Sequence, residues 1–127
     1  KEACGSPLPV ILPNATTTGW QVLAIGSGAL AALGRAGAQL PEDSVKVLGD
    51  DGYVIVGGGV HSWMALSGRA GSMHGASYAV IELLEVLGWQ FLAWDCTIRP
   101  AKCPGTLPFL NTTRRPPQFT YRNIGLW

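Results

Sequence analysis

Between Gly75 and Asp95 the chain reads Gly-Ala-Ser-Tyr-Ala-Val-Ile-Glu-Leu-Leu-Glu-Val-Leu-Gly-Trp-Gln-Phe-Leu-Ala-Trp-Asp, an apolar helix running straight into an aromatic strand. At about 100° per residue, Ala76, Val80, Leu83, Leu84 and Leu87 fall on one broad face, with Ala79 and Val86 at its margin. Tyr78, Glu82 and Glu85 share the narrow opposite face. Gly88 reads as a left-handed stop after Leu87. Trp89, Phe91 and Ala93 then alternate with Gln90, Leu92 and Trp94, the period of a strand with both faces largely covered. A helix this apolar has to pack on a sheet. Its thin polar stripe meets either solvent or a neighbouring domain.

The rest of the chain supplies that sheet. Residues 1–19 are rich in Pro, Thr and Gly and read as an entering arm, extended through Val10-Ile11-Leu12. Gln21 to Ile25 reads as a strand, and Gly26-Ser27-Gly28 turns it into an Ala/Leu helix with Ser27 as N-cap. Val45 to Leu48 is a second strand, followed by the hairpin chemistry of Gly49-Asp50-Asp51-Gly52. Tyr53 to Val56 follows, and Gly57-Gly58-Gly59 reverses the chain into a strand from Val60 to Leu66. Past Asp95 the prolines at 100, 104, 108, 116 and 117 predict loop, up to an alternating tail from Phe119 to Trp127. The order is β-α-β-β-β-α-β. Tight turns force the three consecutive strands to be antiparallel, because parallel pairing needs a long crossover. The fold class expected is α+β, one mixed sheet with two helices packed on one face. Residues 20–95 form the domain, and 96–127 read as a linker.

Composition narrows the function classes. At 127 residues the chain is one domain's worth, and only 13% of it is charged, about half the ~25% usual in soluble domains. Net charge is +1, without the basic stripe of a nucleic-acid binder. No apolar run approaches the ~20 residues of a membrane span. With 47% hydrophobic residues, some apolar surface is expected to meet another domain. The chain starts at Lys1 without Met or a signal-peptide apolar region, which reads as a mature or excised segment.

Three cysteines are present. Cys96 and Cys103 flank Pro100 closely enough for a short-loop disulfide, leaving Cys4 to find an outside partner or stay free. No CxxC spacing or nearby His suggests zinc. Asn14-Ala-Thr16 and Asn111-Thr-Thr113 are N-glycosylation sequons in segments read as loops. Sequons and disulfide together predict a secretory-pathway protein.

Signals for catalysis are weak. Gly26-Ser-Gly-Ala-Leu-Ala31 fits the G-x-G-x-x-A form of a dinucleotide fingerprint, with Asp50 as its distant acid. A plain strand-to-helix turn in a Gly-rich chain is the expectation, because a Rossmann unit would need a further helical crossover where two hairpins follow. Gly57-Gly58-Gly59 could cradle a phosphate but has no Lys-Ser/Thr after it, so a hairpin turn is the expectation. Glu82 and Glu85 are paired carboxylates on one helix face. Glycosidase carboxylates face each other across a sugar, roughly 5–9.5 Å apart. His61 and His74 lack ligand-spaced partners, and Ser72 and Ser77 lack a nucleophile elbow.

Asp51-Gly-Tyr-Val-Ile55, a glycine turn, a short strand and then the Tyr78–Gly88 helix with Trp-Gln-Phe-Leu-Ala93 resemble the N-terminal domain of α-glucuronidases of glycoside hydrolase family 67. The second domain of β-hexosaminidases and chitobiases is similar. Ser72-Met-His-Gly75 departs from the Arg-Gly-Thr-like turn of that pattern. The resemblance implies a non-catalytic accessory domain docked on a downstream TIM barrel that cleaves O-glycosyl bonds, with carbohydrate bound through the barrel and no cofactor. Tyr78, Glu82 and Glu85 would line the docking face. Pro117-Gln-Phe-Thr-Tyr-Arg122 is similar to the lead-in to the first barrel strand, which makes Arg122 a substrate-binding candidate. Two other readings stand beside it: a free-standing carbohydrate-binding module using Trp20, Trp63 or Trp94, and a nucleotide-binding enzyme built on the Gly26 turn.

Overall fold

Small residues decide how this chain packs. In the computed structural model, which describes residues 10, 21–28, 48–59, 63–72, 74–93, 95–102 and 105–115, the helix runs from His74 to Val86 (α1). An added Cβ on Gly75 would lie 2.2 Å from the Gly52 carbonyl oxygen and 3.0 Å from Gly68 Cα. Three glycines from three separate segments therefore meet where the helix starts, and the backbone comes down onto the sheet there. Gly75, Ala79 and Leu83 are the buried residues of α1. The buried face is turned towards the small residues and away from the Val80/Leu87 centre that the wheel gives.

The sheet beneath is mixed. Strands β1 (Val22–Ile25), β2 (Tyr53–Gly57), β3 (Trp63–Gly68) and β6 (Leu110–Arg114) lie in the order β1-β3-β2-β6. β3 runs parallel to β1 and antiparallel to β2, and β6 is antiparallel to β2. Tyr53 is in register with Gly68 on one side and Arg114 on the other. The α+β class holds, and the β2–β3 hairpin is antiparallel as its short turn demands. Ile55, Met64 and Leu66 pack against Ala79 and Leu83 to form the core, with Leu23, Tyr53, Val80, Leu87, Leu107 and Leu110 around it. Val54, Ala65 and Ser67 on the other face are buried too, so the centre of the sheet is covered on both sides.

The β2–β3 reversal uses its glycines fully. Gly57, Gly58 and Gly59 have φ of +111°, +78° and +62°, a region that side chains with a Cβ rarely adopt. The helix ends as expected. Gly88 sits at φ +93°, its N–H donates to the Glu85 carbonyl, and the Trp89 N–H donates to the Leu84 carbonyl, the two bonds of a Schellman stop.

Two expectations need correction, and a third lies partly outside the described residues. The strand after Gly88 does not join the main sheet: β4 (Gln90–Ala93) pairs with β5 (Cys96–Ile98) in a separate two-stranded sheet, irregular between Phe91 and Ala93. All its residues are exposed, where the alternation implied two covered faces. The segment read as a linker from residue 96 onward holds both β5 and β6, and β6 completes the main sheet. Only one helix is seen in full among the described residues; the second starts at Ser27-Gly28, and its continuation and residues 45–47 of the next strand lie outside them. Leu48, read as the end of that strand, is buried but outside regular structure. Among the described residues, no helix is long and apolar enough to cross a membrane.

Candidate functional site

The register of β2 and β6 builds a cluster in which three ionisable side chains from three elements meet. Tyr53 and Arg114 are cross-strand neighbours, and their side chains point to the α1 side of the sheet. Close seating of the helix on Gly68 brings Glu82, two turns further along, over the same spot. The Tyr53 hydroxyl donates to Glu82 Oε2. Arg114 donates twice, from Nε to Oε2 at 3.3 Å and from Nη2 to Oε1 at 3.3 Å, the bidentate fork that suits a carboxylate. Glu82 is only 18% exposed, whereas Arg114 is 61% exposed.

These contacts set the protonation states. Burial alone would raise the Glu82 carboxyl, but the Tyr53 hydroxyl and the Arg114 guanidinium outweigh it and hold the group below its ordinary range. Burial, then the hydrogen bond to Glu82 and the negative charge beside it, push Tyr53 up to about 12. Arg114 is raised by the same carboxylate. Near neutral pH, Glu82 is therefore an ionised acceptor and Tyr53 keeps its proton. A group poised for acid/base work needs a pKa near the working pH. This trio is displaced from that on both sides, and it clasps helix to sheet.

The position of Glu82 corrects the polar stripe read from the helix wheel. Glu82 faces inward to Tyr53 and Arg114, while Tyr78 and Glu85 stay exposed with Ile81 between them. The two glutamates thus do not form a shared acid/base face. Neither Tyr53 nor Arg114 stood out in the sequence as a site residue. The signal in Leu110-Asn-Thr-Thr-Arg114 is slight: two β-branched threonines between prolines at 108 and 116.

A second polar group ties the Gly49–Gly52 turn to the start of α1. Arg69 Nη1 lies 3.2 Å from Asp50 Oδ1, and His74 Nδ1 lies 3.6 Å from Asp51 Oδ1. The Ser72 hydroxyl donates to the Asp50 carbonyl. The serine is thereby spent on bracing two loops, so Ser72, His74 and Asp51 do not make a nucleophilic relay despite their closeness in the fold.

The glycine turns are also occupied. The Gly58 N–H donates to the Trp63 carbonyl and the Gly59 N–H to the Leu107 carbonyl, each at 2.8 Å. Those amides hold the β2–β3 turn onto the approach to β6 and do not face outward as an anion cradle. The Gly26 N–H donates to the Leu66 carbonyl at 2.9 Å, continuing the sheet instead of opening towards a pyrophosphate.

Of the aromatic platforms, Trp63 is half-buried in β3, and Trp20 and Trp94 lie outside the described residues. Trp89 carries the Arg99 guanidinium 5.6 Å from its ring centroid, which covers one ring face. Asn111 is exposed, and it sits in strand β6, not in the expected loop. Cys96 is an exposed free thiol at the start of β5. Its expected partner Cys103, together with Cys4, Asn14, His61 and Arg122, lies outside the described residues. Among the described residues, no group of His, Cys, Asp and Glu is arranged to hold a metal. Comparison with protein-family models, with curated proteins and with solved structures finds no match.

Proposed function

We propose that this chain is a non-catalytic accessory domain of a secreted carbohydrate-active hydrolase, and that it docks on a downstream barrel. The observation that carries this reading is the Gly75–Ala93 helix-to-strand unit, whose sequence resembles the accessory domains of α-glucuronidases and hexosaminidases. Two structural features support it. The carboxylate nearest to other ionisable groups, Glu82, is committed to a clasp and has little left to offer a substrate. The outward stripe of α1 carries Tyr78 and Ile81, each 40% exposed, beside Glu85. A mixed aromatic, aliphatic and acidic stripe of this kind suits an interface between domains. In this reading, substrate contact falls to Arg122 and to the barrel, and Tyr78, Ile81 and Glu85 hold the two together.

The test is the coding sequence beyond Trp127, followed by assay of the whole protein on aryl glucuronides and aryl N-acetylhexosaminides. Several hundred further residues with barrel periodicity and hydrolysis of one substrate class are expected. A reading frame that stops at Trp127 would remove the proposal.

A further inference from the structure

Strand β6 carries a modification sequon in a setting that loop chemistry would not provide. Asn111, Thr112 and Thr113 are consecutive residues of the strand, so Asn111 and Thr113 project to one face and Thr112 to the other. The Arg114 side chain, bonded to Glu82 on α1, marks the helix side. Thr112 is half-buried on that side, and Asn111 and Thr113 are exposed on the opposite one. Pairing with Val56 and Val54 places them at the end of the sheet order, where β6 has a strand on one side only among the described residues. Both residues that a glycosyl transferase must read, the amide and the hydroxyl two positions on, are therefore exposed on one side of β6, beside the buried Val54, Ala65 and Ser67 of that face. The interior gives up nothing to accommodate a sugar there.

We propose that Asn111 is an N-glycosylation acceptor and that its glycan covers the β6 edge of the main sheet. The proposal rests on the secretory part of the reading above, and not on the hydrolase part. In the transfer, the Asn111 Nδ2 forms a bond to the anomeric carbon of an oligosaccharide carried on a polyprenyl pyrophosphate. The bond from that carbon to the pyrophosphate oxygen breaks, the lipid pyrophosphate leaves with the electron pair, and the amide gives up one proton to a transferase base. No oxidant or reductant is involved. An unpaired strand edge is a template for pairing with a second chain, and a bulky hydrophilic group beside it blocks that approach.

The experiment is secretion of the full chain from a eukaryotic host behind a cleavable leader, in an Asn14→Gln background so that one sequon remains. Intact mass before and after peptide N-glycosidase should show a single glycan, with aspartate at position 111 in the released peptide. Asn111→Gln and Thr113→Ala should each abolish it. The Thr113 variant keeps the asparagine, so its loss of glycan reports acceptor recognition. A secreted Asn14→Gln chain with the mass of bare polypeptide would overturn the proposal. Light scattering then tests the covering role: the glycosylated chain should be monomeric and the Asn111→Gln chain should self-associate. Two equally monomeric samples would refute that role. Failure of the hydrolase reading would leave these masses unchanged, so the two ideas fail separately.

Discussion

Glu82 shows how strongly a single residue's setting decides its chemistry. On the helix wheel it belongs with Tyr78 and Glu85; in the fold it accepts from Tyr53 and Arg114 and joins α1 to β2 and β6. Removing the Tyr53 hydroxyl leaves the carboxylate short of a donor. Tyr53→Phe should therefore cost roughly 1.5–3 kcal/mol in urea unfolding, the range for hydrogen bonds to charged groups. The pH dependence follows from the directions of shift. The Glu82 carboxyl is lowered in the fold, so its contribution is present above its ordinary value of 4.5 and fades as pH falls through the lower folded value. Tyr53 is raised from 10.0 to about 12, so its contribution is complete below pH 10.0 and is lost as pH rises through about 12. Unfolding curves of the natural chain and of Glu82→Gln should accordingly differ most near neutral pH and converge below 4.5. A gap that stays constant down to strongly acid pH would mean that the charge of Glu82 is not what holds the clasp.

At the scale of elements, α1 is placed by backbone contact more than by its large apolar residues. Gly75→Ala puts a methyl 2.2 Å from the Gly52 carbonyl, so the helix start must lift off the sheet. A loss of about 1–3 kcal/mol is expected, the usual cost of overpacking. Gly71→Ala is a useful contrast. Nothing lies within 4 Å of its added Cβ, and only the φ of +84° opposes it, for about 1–2 kcal/mol. Thermal unfolding of both variants separates crowding from backbone strain: a helix CD signal altered in the Gly71 variant but not in the Gly75 variant would contradict this seating. Hydrogen exchange should divide the strands as well. β2 and β3, buried at Ile55, Met64 and Leu66, should exchange slowest, and the wholly exposed β4–β5 pair fastest. Protection of β4–β5 equal to that of β3 would argue against a separate two-stranded sheet.

These elements were legible to different degrees, for physical reasons. Local chemistry announced itself: the Gly88 stop, the triple-glycine turn and the β2–β3 hairpin all depend on residues close in sequence. The helix's existence was equally clear. Its rotation was not, because hydrophobicity weights Val80 and Leu87 over Gly75 and Ala79, while close approach favours the small pair. β6 was hidden by prolines on both sides and by a polar sequence, Asn-Thr-Thr-Arg, without apolar alternation. The Tyr53–Glu82–Arg114 clasp needs a long-range pairing of β2 with β6, which no local pattern encodes.

For the molecule as a whole, the low charge content and the exposed Tyr78, Ile81, Phe91, Leu92 and Ile98 raise one question: what meets this surface. Under the proposed function, a barrel of the same protein would cover the α1 stripe, and β6 would stay outward under the proposed glycan. Hydroxyl-radical footprinting of Tyr78 and Ile81, in the intact protein and in segment 1–127 alone, tests this directly. Both side chains should label readily in the isolated segment and be strongly protected in the intact protein, with Asn111 on the unprotected side. Equal labelling of Tyr78 and Ile81 in the two samples would contradict the docked accessory domain.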